Sequence, residues 1–221
     1  DEAVGLLDPS GVEVPGITSA AADATIRAAL PSLDEDGSYT VTWAAVSSDG
    51  HPIRGAYLFH LRERTLDEPA GSVASGTPLS AILLRALGAT LAIGGLVWVF
   101  ACSFLDRRPR TRWVPVLVGT VVGVVGSVVA VGDTWSDSLD VVLATTSGRV
   151  GLIATGVAAL GLVASWIPRA GQVELALAAA TTVAVAAGGH AVSLPPVARS
   201  AGLTVAHVLA AVAWATALLW L

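Results

Sequence analysis

Apolar residues are not spread evenly along this 221-residue chain. Up to residue 61 they come in short runs and alternating pairs; beyond residue 78 they come in long unbroken blocks. In the first part, Ala3–Leu7 is a short apolar run ended by Asp8-Pro9-Ser10-Gly11, and Ala24–Leu30 is a second. Tyr39, Val41, Trp43 and Ala45 alternate with Thr40, Thr42 and Ala44, the period of a strand with one buried face. Ile53, Gly55, Tyr57, Phe59 and Leu61 alternate with Arg54, Ala56, Leu58, His60 and Arg62 in the same way. Asp34-Glu35-Asp36-Gly37 and Ser47-Ser48-Asp49-Gly50 have turn composition. The pattern predicts an antiparallel β domain over 1–61, a partial sandwich, because four or five strands are too few to close one. Residues 62–78, rich in Pro, Gly, Ser and charge, read as a flexible linker.

Five later blocks, about 79–103, 113–133, 148–167, 172–192 and 203–221, meet the requirement of roughly 20 apolar residues for a bilayer-spanning helix. The fold class that follows is β plus membrane α: the β domain, then a polytopic bundle of about five transmembrane helices over 79–221. Composition supports this over a soluble core. The chain is 54% hydrophobic and 13% charged, against about 25% charged in soluble domains, which leaves too little polar sequence to cover five buried helices.

Charge divides the chain at the same place. Residues 1–79 carry twelve acidic side chains and four arginines; residues 80–221 carry five and eight. The first connection, Leu105-Asp106-Arg107-Arg108-Pro109-Arg110-Thr111-Arg112, is strongly basic, and the third, Pro168-Arg169-Ala170-Gly171, is basic and short. The second holds Asp133, Asp137 and Asp140. By arginine placement the first and third face the cytoplasm, which puts the β domain outside the cell membrane and the C-terminus inside. Trp113, Trp135 and Trp166 fall at expected interfaces, as anchors do. The opening Asp1-Glu2 is no signal peptide, and the last block ends without a polar flank. A longer precursor, with more chain after Leu221, is expected.

The run Gly37-Ser38-Tyr39-Thr40-Val41-Thr42-Trp43, then Val46-Ser47-Ser48-Asp49-Gly50-His51-Pro52, then Gly55, resembles the CopC family of periplasmic copper-binding β-sandwich domains. The resemblance spans residues 3–61, roughly the last two-thirds of such a domain. It implies that Asp49 and His51 are Cu(II) ligands. It also implies an incomplete site, because the family's further ligands come from an N-terminal histidine and this chain begins at Asp1. The methionine-rich Cu(I) site of some members is absent, since the chain has no methionine. Residue chemistry alone agrees in part. Cu(II) prefers four nitrogen and oxygen ligands near a plane, and two residues two apart on an extended backbone point to one side. The same spacing also fits an Asp-Gly turn with a solvated histidine. His60 reads as a surface strand residue.

Within the blocks, Arg85, Arg149, His190 and His207 are ionisable groups in an apolar setting, where such groups usually face a bundle interior or water. His190 is expected near the outer end of the fourth span and His207 one turn into the fifth, at similar depth, so the two imidazoles could share a metal ion. Thr146-Ser147-Gly148-Arg149, Gly189-His190-Ala191 and His207-x6-Trp214 resemble the CopD family of copper-resistance membrane proteins over about 80–221. The residues Ala215-Thr216 depart from the family's glycine-rich sequence after the tryptophan. Each histidine can equally be a helix-packing residue bonded to a carbonyl. The arginines read as interfacial, or paired with Asp137 or Asp140. Glu174 reads as solvated and Cys102 as a buried inert thiol.

The leading reading is a CopC–CopD fusion that captures copper outside the membrane and passes it to or across the bilayer, with copper ions, lipid and other envelope copper proteins as partners. No nucleic-acid partner and no enzyme activity are expected, and no ATP-binding loop is present. Paired histidines on adjacent helices also fit a haem-binding electron-transfer protein. A membrane-anchored, non-catalytic interaction protein is the third class.

Overall fold

The computed structural model describes residues 4–22, 25–47, 52–69, 77–104, 109–132, 138–188 and 197–218. They fall into two compact units, one up to residue 69 and one from 77 onward.

The first unit is built on β1 (Val4–Leu7), β2 (Thr18–Ala22), β3 (Thr25–Ala29), β4 (Gly37–Val46) and β5 (Pro52–Leu61). Strands β1, β4 and β5 form one antiparallel sheet with β4 central, and β2 pairs β3 in a separate hairpin. The alternation in the sequence sets which face is inward: Val4 and Leu6 of β1 and Tyr39 and Val41 of β4 are buried together with Ile17, and Ile26, Trp43 and Phe59 pack against them. Tyr39 pairs with Phe59 in the strand register, and their rings stack at 5.4 Å, a cross-strand aromatic contact of the kind that holds sheets in register. Trp43 lies over its register partner Gly55, where a Cβ would sit 2.4 Å from the indole. That contact explains why a glycine interrupts the apolar face of β5.

The expected one-sided burial of β4 does not hold: its first half is buried on both faces and its second half is half-buried on both. Ser38 and Thr40, on the opposite face, are wholly buried as well. Part of the cover comes from the stretch read as a linker. Thr65 N–H and Leu66 N–H donate to Ser38 Oγ at 2.8 and 2.9 Å, and Ser38 N–H donates to Thr65 Oγ1 at 2.9 Å. Strand β2 was not expected; its Thr-Ser-Ala-Ala-Ala sequence carries neither alternation nor bulk.

The second unit contains α1 (Leu79–Phe104), α2 (Val114–Gly132), α3 (Ser138–Ala144), α4 (Thr146–Ala164), α5 (Gly171–Ala187) and α6 (Val197–Leu218). Four of these, α1, α2, α4 and α6, are long and apolar enough to cross a membrane; α5 is apolar but has 17 residues. The helix α3 was not foreseen, and α6 begins six residues earlier than expected, directly after Pro195-Pro196. Large apolar side chains such as Leu83, Trp98, Val121, Ile153, Leu160 and Val183 are exposed, the arrangement of a bundle whose solvent is lipid.

Packing between α1 and α2 depends on small residues. A Cβ at Gly119 would lie 2.3 Å from the Ala92 nitrogen, and one at Gly88 would lie 2.6 Å from the Gly123 nitrogen. The two backbones therefore touch, as helices do in lipid where apolar burial gives no drive.

Candidate functional site

Helices α1, α2, α4 and α5 line an open cavity of about 330 Å³. It reaches from Ser147, at the start of α4, and Gly188, at the end of α5, down to Ala92, Gly119 and Ala154. Most of its wall is glycine and alanine, and Arg85, Thr120, Ser127 and Ser147 supply the polar atoms. The hydroxyls all donate to backbone: Thr120 to Leu117, Ser127 to Gly123 and Ser147 to Gly188. Their oxygens are thereby left as acceptors. Arg85 is half-buried, and a Cβ at Gly126 would lie 3.1 Å from its Cγ.

The Thr-Ser-Gly-Arg motif builds the elbow above this cavity. Thr145 caps α4, accepting from Gly148 N–H at 3.0 Å and donating to the Val142 carbonyl at 2.7 Å. A Cβ at Gly148 would meet the Val142 carbonyl oxygen at 2.0 Å, so only glycine lets α3 and α4 fold on each other there. Ser147 ties the elbow to the end of α5 through Gly188 at 2.8 Å. Arg149 is exposed, and its Nε donates to the Leu143 carbonyl at 2.8 Å, near the free carbonyls at the C-terminus of α3.

Away from the cavity, the interior of the same helices is filled. Leu96, Val99, Trp113, Val116, Ala158 and Ala178 form a wholly buried cluster. Trp113, expected as an interfacial anchor, lies flat on α4, where a Cβ at Gly161 would be 2.5 Å from its ring. Its Nε1–H donates to Glu174 Oε2 at 3.2 Å, and the Arg112 guanidinium pairs with the same oxygen. Glu174 is buried, not solvated as expected; Arg112 compensates its charge and itself donates to the Pro109 carbonyl at 2.8 Å. Burial without such pairing would be prohibitive. Ser165 Oγ donates to the Arg110 carbonyl at 2.7 Å, and the Arg110 guanidinium lies 5.0 Å from the ring centre of Trp166, which is exposed as an anchor should be. These contacts knit together the start of α2, the end of α4 and the start of α5.

Of the residues singled out as metal ligands, Asp49, His51 and His190 lie outside the described residues, as do Trp135 and Asp137. His207 is described. It is exposed, and so is Trp214, seven residues on and therefore on the same side of α6. The packed side of that helix carries Val212 and Thr216 instead. His207 lies ten residues, about 15 Å, into α6, deeper than the one turn expected, because the helix starts early. Described α5 ends at Ala187, three residues short of His190. Among the described residues, no group of three or more His, Cys, Asp or Glu side chains could hold a metal ion.

His60 is on the surface of β5 as expected, with Nδ1 2.8 Å from Ser38 Oγ. That oxygen accepts two backbone N–H groups, and its single proton has two acceptors in reach, Nδ1 and the Leu66 carbonyl at 3.5 Å.

The class these features define is a β domain joined to a bundle of helices suited to a membrane. Residues 1–62 match the family model of the CopC domain, a copper-binding family. No curated protein and no solved structure matches the chain.

Proposed function

We propose that the chain captures copper at its CopC domain and delivers it to or across the cell membrane through a CopD-like helical bundle. One observation carries the reading: a copper-binding domain and a set of helices long enough to span a bilayer occur in one polypeptide. In this reading Asp49 and His51 hold Cu(II) outside the membrane, and copper is cargo. The cavity among α1, α2, α4 and α5 receives it, and His190 is the candidate imidazole ligand of the helical part. The basic first and third connections support a cytoplasmic placement for their end of the bundle.

The test is metal analysis of the purified full chain together with copper content of cells that carry or lack it. Asp49→Ala and His51→Ala should each lower bound Cu(II), and His190→Ala should lower copper movement without changing Cu(II) bound outside. Unchanged copper content on deletion, with no copper in the purified protein, would refute the reading.

A further inference from the structure

The four helices around the cavity are hollow in one half and filled in the other. Beyond the cavity floor at Ala92 and Ala154, the interior holds Leu96, Val99, Trp113 and Ala158, then the Arg112–Glu174 pair. Both charged residues are about as buried as the aliphatic cluster beside them, at 3% exposure each. A pair of this kind gains little over apolar side chains of the same volume, because both charges must leave water. As a plug, aliphatic residues would serve as well. An ion pair adds a second favourable arrangement, in which the charges separate and are hydrated. The pair also joins two helix starts that are 62 residues apart in sequence, with Trp113 donating to the same carboxylate oxygen across the top of the filled half.

We propose that Arg112, Trp113 and Glu174 form a gate: closed, as here, it seals the bundle end opposite the cavity, and its opening connects the cavity to that side. The proposal rests on the reading that the bundle passes an ion, and it adds where passage is controlled. Opening parts the start of α5 from the start of α2, and the indole then withdraws from the face of Gly161.

Cys102 is a native reporter. It is the only cysteine, it is buried, and it lies one turn beyond Val99 on the same side of α1. A water-soluble maleimide applied to the full chain should label it slowly in the closed state. Glu174→Gln should raise the labelling rate at least about tenfold, equivalent to about 1.4 kcal/mol of lost closure. Trp113→Phe, which keeps a ring against Gly161 but loses the N–H, should raise it less. The exchanged pair Arg112→Glu with Glu174→Arg should bring it back toward the starting rate. If Glu174→Gln fails to fold, Trp113→Phe and the exchanged pair carry the comparison.

General loosening is read at a second position. Ala130→Cys in a Cys102→Ser background places a thiol at a buried site in the other half of α2, and its labelling should not change with the gate variants. Equal increases at both positions, or no increase at Cys102 in folded variants, would overturn the gate. Labelling is measured without copper. A chain that binds no copper but shows this pattern therefore refutes the copper reading alone, whereas copper binding with unresponsive Cys102 refutes the gate alone.

Discussion

Replacing Gly161 with alanine is the sharpest test of how the filled half of the bundle is held. The new Cβ would lie 2.5 Å from two atoms of the Trp113 ring and 2.6 Å from a third. Carbon atoms in contact prefer about 3.5–4.0 Å, so the ring must retreat by about 1 Å. It has nowhere to go, being wholly buried among Leu96, Val99, Val116, Ala158 and Ala178. Retreat would also stretch the 3.2 Å hydrogen bond from its Nε1 to Glu174. Overpacking of this kind costs about 1–3 kcal/mol, and weakening a hydrogen bond to a charged group adds up to about 1.5–3 kcal/mol. Alanine returns about 1 kcal/mol through better helix propensity. With that hydrogen bond lost, the balance is a destabilisation of about 1.5–5 kcal/mol. Denaturant unfolding in detergent micelles, followed by tryptophan fluorescence, measures it. Combining Gly161→Ala with Trp113→Leu, which removes the flat ring, should cost less than the sum of the two single changes. A Gly161→Ala protein as stable as its parent would refute the close approach of α2 and α4 and the placement of Trp113 with it.

Three further outcomes are expected from the β domain. Ser38→Ala leaves the N–H groups of Thr65 and Leu66 without their acceptor, at about 1–3 kcal/mol for each that stays buried; a lower thermal midpoint and faster proteolysis within 62–69 would be the readouts. Gly55→Val forces a side chain into the Trp43 indole and should expose that indole, seen as a red shift in its fluorescence. Burial raises the Tyr39 phenol above its ordinary value; the hydrogen bond to the Glu35 carbonyl opposes this, and the carboxylates of Glu35, Asp8 and Asp34 add to it. A raised phenol leaves its contribution intact below about pH 10 and loses it as pH climbs through the folded-state value. Denaturation midpoints should therefore fall as pH rises above about 10, and Tyr39→Phe should show a smaller fall over the same range.

The long apolar blocks made α1, α2 and α4 legible, because bilayer span is a matter of length and composition and the chain states both. Alternation did the same for β4 and β5. Short elements escaped: α3 is seven residues in an acidic stretch, and β2 is built of small residues that favour no period. The Arg112–Glu174 pair escaped for a different reason. Each residue stands near a span end, where charge is ordinarily solvated, and pairing between residues 62 apart is a property of the fold. A signal was present all the same. Glu174 is the single acidic residue after Asp140, and it follows a connection whose neighbour across the bundle is arginine-rich. The Thr-Ser-Gly-Arg motif was legible as a motif, but Gly148 lets two helices fold on each other and Ser147 ties a third, beside the cap Thr145, which no spacing argument reveals.

Holding Thr65 and Leu66 on the far face of β4 makes them part of the β unit's own fold, so a boundary drawn after Leu61 would strip Ser38 of three of its hydrogen bonds and open its buried side to water.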